Sequence, residues 1–312
     1  MEYRTISKTG IEVSAVALGT WAIGGSSWGP ADDGDSMDTI GAALDMGVTL
    51  IDTAPVYGHG HAEELVGLAL KGKREKSVIA TKCGLLLDDG YRRSLDPRDI
   101  QRELEDSLRR LRTDYVDIYF FHRPDKNTPI EVSIEKVERL KQEGKIRCYG
   151  VSNFSRSQLE RAVACGTVDF IQDQYSLVHR AVEKDLIPVC EREGIGLLAY
   201  APLGGGILTG KYREKPNFRR KDIRNTFYPF YQEPYWSKTM TLLESVEEIA
   251  ARIGKSPAQI AIAWVNSRSH VASSLVGARS IDQLRENAGA GAVGMDRDAL
   301  AVLTEQSDSL FE

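Results

Sequence analysis

Three side chains able to move protons or hold charge stand where short apolar runs stop, and a phenol follows the first of them. Asp52 ends the run Val48-Thr49-Leu50-Ile51 in "TLIDTAPVYGHGHAEELVG", and Tyr57 follows within the same stretch. Lys82 ends "SVIATK" and His122 ends "DIYFFH". An unpaired carboxylate at the end of a buried strand is costly to desolvate, so Asp52 either caps a turn or meets a cation. Lys82 is that cation if the two runs are neighbouring strands, because pairing offsets the cost of burying each charge alone. Tyr57 then leans over the pair. A free phenol, with a pKa near ~10, is a poor proton donor at neutral pH, and a nearby ammonium is expected to lower that value. His122 would supply a hydrogen bond to a substrate oxygen. Such a set suits carbonyl reduction, in which hydride attack builds charge on oxygen that must meet a donor and a proton. Side chains cannot supply a hydride, so a cofactor must.

The elements that would position these groups are legible as an alternation. Apolar or β-branched runs occur at 16–18, 48–51, 78–80, 116–121, 146–151, 169–172, 196–199 and 274–276. Between them lie helical patterns such as Ile100-Leu104-Leu108-Leu111 and Val132-Val137-Leu140. Asp96-Pro97, Thr128-Pro129 and Ser256-Pro257 read as helix starts, and Gly47, Gly144 and Gly194 as helix ends. Eight strands separated by at least eight helices predict a parallel sheet closed into a (β/α)8 TIM barrel, a single domain over 1–312 with extra C-terminal helices. The opening "YRTISKTGIEVSAVALG" predicts a β-hairpin turning at Lys8-Thr9-Gly10 that plugs the barrel floor. The stretch from Gly204 to Ser237 is loop-like, and a loop of that length is usually functional.

In such a barrel the strand ends face one pocket. They carry Gly19-Thr20-Trp21, Asp52, Lys82, His122, Ser152-Asn153, Gln174, Tyr200 and Gly277. Nearly all are polar or titratable, where chance would leave mostly apolar residues. Asp52, Tyr57, Lys82 and His122 resemble the tetrad of the aldo-keto reductase superfamily. "ALGTW", "DTAPVYG", "GKIRCYGVSNF" and "LVGARSIDQLREN" are similar to its motifs along essentially the whole chain, most like the bacterial branch of inositol-operon and general-stress reductases.

The resemblance implies NADPH-dependent, metal-free reduction of small-molecule aldehydes or ketones, with Tyr57 as general acid. It also implies cofactor contacts: Gly19, Thr20, Trp21 and Asp52 near the nicotinamide, Ser152, Asn153 and Gln174 on its carboxamide, and Tyr200 stacked on its ring. Pro202, Leu203, Gly205, Gly206, Lys211 and Arg224 fall in the loop over the pyrophosphate. Gly277, Arg279, Gln283 and Asn287 match the adenosine end, with Arg279 at the 2′-phosphate. A strand turning into a helix at Ser280 suits phosphate, and a planar guanidinium suits bidentate contact with it. Where relatives carry a bulky aromatic after the histidine, this chain has Arg123, which with Trp21, Tyr57 and His122 would face substrate and favour polar or anionic carbonyls.

Other readings are open at this level. Asp52 in D-T-x-P could only cap a turn. Lys82 could be a Schiff-base lysine of a barrel lyase, although Asp52 beside it opposes the depressed pKa that role needs. Relatives of the fold also serve as cofactor-occupied regulatory subunits of potassium channels, a low-turnover alternative. His59-Gly60-His61 reads as loop histidines rather than a metal pair. Triple glycine at 204–206 lacks the spacing of a dinucleotide or P-loop fingerprint. Cys83 reads as a packed thiol with possible redox sensitivity, and Trp28, Phe227, Tyr228, Phe230 and Tyr231 as aromatics of the mouth. With 42% hydrophobic and 27% charged residues in 312, the chain has the composition of a core-forming soluble protein. Its net charge of −5 is evenly mixed, which excludes a nucleic-acid stripe. The polar start and the lack of a long apolar segment predict no leader and no membrane span. Four scattered cysteines, Cys83, Cys148, Cys165 and Cys190, suit reduced thiols in a cytoplasm.

Overall fold

The computed structural model describes residues 1–6, 8–25, 28–87 and 90–310. An antiparallel pair leads, β1 (Tyr3–Ile6) and β2 (Ile11–Ser14). Alternation follows: β3 (Val16–Gly19), α1 (Asp33–Asp45), β4 (Leu50–Asp52), α2 (His61–Ala69), β5 (Val78–Cys83), α3 (Pro97–Leu111), β6 (Val116–Phe121) and α4 (Ile130–Gln142). It continues with β7 (Ile146–Ser152), α5 (Arg156–Cys165), β8 (Phe170–Gln174), α6 (Ala181–Asp185), α7 (Ile187–Glu193) and β9 (Gly196–Tyr200). The chain ends with α8 (Tyr235–Ile253), α9 (Pro257–Asn266), β10 (Val271–Gly277), α10 (Ile281–Gly289) and α11 (Arg297–Asp308). Eight parallel strands close in the order β10-β3-β4-β5-β6-β7-β8-β9, the expected (β/α)8 barrel.

The barrel interior explains where the polar strand ends point. Side chains alternate along a strand, so the residue two beyond an inward apolar one also faces in. Leu50, Ala80, Phe120, Phe170 and Leu198 share the interior cluster. Two residues beyond each stand Asp52, Lys82, His122, Gln172 and Tyr200. The same period that fills the core therefore delivers the polar groups above it. From below, Ile11 and Val13 of β2 join that cluster, 2% and 0% exposed, so the hairpin closes the floor as expected. Burial of this kind contributes roughly 1.5–3 kcal/mol per side chain.

Most helix signals hold. Asp96 caps α3 by accepting from Arg98 N, and Ser256 caps α9 in a reciprocal box with Gln259. Gly194 ends α7 in a left-handed conformation. Two details differ. The Thr128 hydroxyl donates to Asp125 at 2.7 Å instead of capping, and Pro129 itself is the cap of α4. Val132 is 42% exposed, and α4 buries Ile134, Val137 and Leu140 instead. The long connection after β9 contains three short 3-10 segments, Gly204–Thr209, Ile223–Asn225 and Pro229–Tyr231, and gives way to α8 at Tyr235.

Candidate active site

The centre of the barrel mouth is a buried ion pair. Lys82 Nζ donates to Asp52 Oδ1 and Oδ2 at 2.8 and 2.9 Å, to the Thr53 carbonyl at 2.9 Å and to Tyr57 Oη at 3.2 Å. Lys82 is fully buried and Asp52 is 3% exposed. Neither charge would be tolerated there alone; paired and hydrogen-bonded, both are. Gln172 Nε2 adds a donor to Asp52 Oδ1 at 2.7 Å, and Thr20 Oγ1 donates to the Asp52 carbonyl at 3.0 Å. Because the ammonium already donates to Tyr57 Oη, the phenolic hydrogen is free to point into the cleft. Trp21 stacks on Tyr57 with centroids 6.1 Å apart, and the His122 ring stands edge-on to it at the same distance.

The phenol moves opposite to the expectation drawn from sequence. Burial, and then the Asp52 carboxylate, hold Tyr57 well above its ordinary value. The reason is that Asp52 largely cancels the Lys82 charge, leaving desolvation to decide. Burial also lowers Lys82, against the carboxylates of Asp52 and Glu63. His122 is pushed well below its usual range by burial and by the charges of Lys82 and Arg123, so its imidazole is neutral at pH 7.

A cleft of about 600 Å³ runs from this centre to the β10–α10 turn. Gly19, Trp21, Asp52, Tyr57, His122 and Arg123 line its inner end, and Ser152, Asn153 and Tyr200 its side. Pro202, Leu203, Gly205, Gly206, Lys211 and Arg224 line the middle, and Gly277, Arg279, Gln283 and Asn287 the outer end. Thr20 and Lys82 stand behind the wall rather than in it.

Gln174 is a correction. It does not line the cleft, and its buried Nε2 has no partner among the described residues. Gln172 lines it instead, in register with Ser152 of β7. Both glutamines share one face of β8, so the stagger between strands, not the end of the run, selects the one level with Asp52. Glu286, one residue before Asn287 on α10, also lines the outer end and was not anticipated. His59 and His61 part company: His59 meets the Tyr91 hydroxyl at 3.0 Å and His61 meets Asp33 at 2.8 Å.

The outer cleft suits a dinucleotide. A Cβ on Gly277 would meet only Gly19 O, at an ordinary contact distance of 3.8 Å. Gly205 and Gly206 have φ of 71° and 100°, the left-handed region that favours glycine. Lys211 and Arg279 make no ion pair with a carboxylate among the described residues, whereas Arg224 is already paired with Asp222 at 2.6 Å and donates to the Tyr212 hydroxyl at 2.8 Å. Gln283 Oε1 accepts from Arg279 N, and Asn287 Nδ2 donates to the Gly277 carbonyl at 3.3 Å, so both brace the turn. Asn153, at φ 59°, is also committed: its Nδ2 donates to the His122 carbonyl and Ser152 Oγ, and its Oδ1 accepts from Tyr200 at 2.9 Å.

The Aldo/keto reductase family profile matches residues 15–307. The chain belongs to the aldo-keto reductase family. It is 42% identical to aldo-keto reductase YhdN of Bacillus subtilis (strain 168) over 91% of this chain and 87% of that one. It is 35% identical to the NADH-specific methylglyoxal reductase of Escherichia coli (strain K12), over 98% of both. Among solved structures it resembles the glycerol dehydrogenase AKR11B4 from Gluconobacter oxydans, with 39% identity, a TM-score of 0.87 and coverage of 95% and 92% of the two chains. Membership of this family makes the chain an oxidoreductase of small carbonyl compounds that uses a nicotinamide cofactor.

Proposed function

We propose that this aldo-keto reductase reduces aldehydes or ketones to alcohols with NADPH, and that Tyr57 is the general acid. The observation that carries this reading is the 3.2 Å donation from Lys82 to Tyr57 Oη, which leaves the phenolic proton facing the cleft. A bound nicotinamide dinucleotide supplies the hydride. Neutral His122 and the Tyr57 hydroxyl hold the carbonyl oxygen between them, so the charge that grows on it meets two donors. A phenol raised above its ordinary pKa keeps its proton through the neutral range and yields it only to a base as strong as a new alkoxide. The Lys82 ammonium then faces the phenolate and can reprotonate it. Trp21, Trp28 and Phe227, packed edge to face at 5.6 and 5.8 Å, form the apolar wall that keeps water from the reacting carbon.

Ser152 Oγ, which accepts from Asn153, keeps its O–H to donate, and Gln172 Oε1 can accept, so the two are suited to an amide. Arg279, exposed and without an acid partner, supports NADPH over NADH; the relative named for NADH makes this a point to be measured. The cysteines are free, with Cys83, Cys148 and Cys190 buried, which fits a reducing cytoplasm. Burial raises Cys83 well above the usual thiol range, so we assign it a packing role rather than a redox one.

The test is consumption of NADPH with a panel of simple aldehydes, repeated with Tyr57→Phe. The variant should lose about 10²–10⁴-fold in kcat, the usual worth of a positioned acid, while NADPH still quenches intrinsic fluorescence. Full activity in Tyr57→Phe would overturn the mechanism.

A further inference from the structure

We propose that Glu63 is a positioning residue for the Tyr57 acid, its buried carboxylate tying the helix that anchors Tyr57 to the strand that carries Lys82. The proposal rests on the reductase reading above.

Glu63 is fully buried on the first turn of α2. A lone carboxylate there would be strongly unfavourable, and two donors meet it. Thr81 Oγ1 donates to Oε1 at 2.6 Å and Arg110 Nε to Oε2 at 2.7 Å. Thr81 immediately precedes Lys82 on β5, so it points away from the cleft while Lys82 points into it. Arg110 comes from α3 and is held to its own helix by the Ser107 hydroxyl at 3.3 Å. Its stem crosses Gly60 so closely that a Cβ there would lie 2.7 Å from Arg110 Cδ, and Gly60 has φ 93°. The backbone just ahead of α2 is thus shaped to let the guanidinium through.

The other side of Glu63 leads to Tyr57. Ala62 N donates to the Tyr57 carbonyl at 3.2 Å, and the Ala62 side chain packs with Tyr57 in one cluster. A closed circuit results. It runs from Tyr57 through Ala62 and Glu63 to Thr81 and Lys82, and returns across the 3.2 Å contact between Nζ and Oη. Neither Glu63 nor Arg110 reaches the cleft; the Glu63 charge also acts on Lys82 through space, so Thr81→Val, which keeps that charge, isolates the Tyr57–Lys82 distance. A misplacement of about 1 Å in a reacting group can cost on the order of 100-fold in rate.

The experiment compares Glu63→Gln and Thr81→Val with wild type in the full chain. Each should lower kcat by about tenfold or more, in line with that sensitivity, with KM for aldehyde and the fluorescence-measured affinity for NADPH within about twofold. Adding Arg110→Met to Glu63→Gln should cost little more, since the pair acts as one unit. A role in folding alone predicts a lower Tm with wild-type kcat, or kcat and cofactor affinity falling together; either result overturns the proposal. If Glu63→Gln does not fold, Thr81→Val, which keeps both charges and nearly the same shape, decides alone. No turnover in wild type would sink the reductase reading and this proposal with it, whereas normal wild-type turnover with unchanged variants sinks this proposal only.

Discussion

Two side chains beside the Tyr57–Lys82 pair make separable predictions. His122 is held well below the usual histidine range, so it stays neutral as pH falls through about 6.5, where a free imidazole would charge. The rate of reduction should therefore show no step there, and a pH profile of kcat/KM from 5 to 8 checks it; a clear inflection near 6.5 that vanished in His122→Asn would contradict the assignment. Arg123 follows it directly, half-buried, with no hydrogen bond or ion pair among the described residues. Burial raises the Asp173 carboxyl to about 6 against the hydrogen bond from Gln174 N and the charge of Arg123, yet Asp173 and Arg123 make no ion pair. The inner cleft thus carries an unspent positive charge, since Asp52 and Lys82 cancel. Wild type should favour a carboxylated aldehyde over a neutral one of equal length by roughly 10-fold or more, the worth of one charge-assisted hydrogen bond, and Arg123→Trp should abolish that preference. Equal selectivity before and after the change would refute it. That Asp52, Lys82 and His122 meet at one mouth could be read from residue types at run ends. The sign of the Tyr57 shift could not, because it depends on how completely Asp52 neutralises Lys82 and how dry the site is.

At the scale of elements, the proposed preference for NADPH rests on the β10–α10 turn. Ser280 caps α10 by accepting from Gln283 N, Gln283 in turn accepts from Arg279 N, and Asn287 holds the Gly277 carbonyl. Three side chains are spent on shaping the turn, which leaves Arg279 as the cation facing outward. Arg279→Ala should weaken NADPH by roughly 10–100-fold and NADH far less, as expected for loss of a charged contact. An unchanged ratio of the two affinities, measured by fluorescence titration, would remove the 2′-phosphate assignment. Caps were legible here because they are local: Asp96, Ser256 and Ser280 each bond a backbone N–H within three residues. Thr128 misled because its hydroxyl was claimed by Asp125, a competition that no capping rule contains.

Across the whole molecule, barrel closure brings β10 beside β3 and so places the Gly277 turn next to Gly19. That closure joins the outer end of the cleft to the Tyr57 end. The alternation of apolar runs and amphipathic stretches was enough to determine the barrel and the hairpin floor, and the run ends placed Asp52, Lys82 and His122 at one mouth. Such signals are periodic or sit at element ends, so each needs only a few neighbouring residues to be read. Tertiary structure alone decided that Gln172 rather than Gln174 meets Asp52, because inter-strand stagger is a property of the closed sheet. It alone decided that Arg224 is already paired with Asp222 and that Glu63 meets Arg110 behind the cleft. It also set the direction of the Tyr57 shift, for burial and the cancelling of charges arise only when distant segments meet in one low-dielectric place.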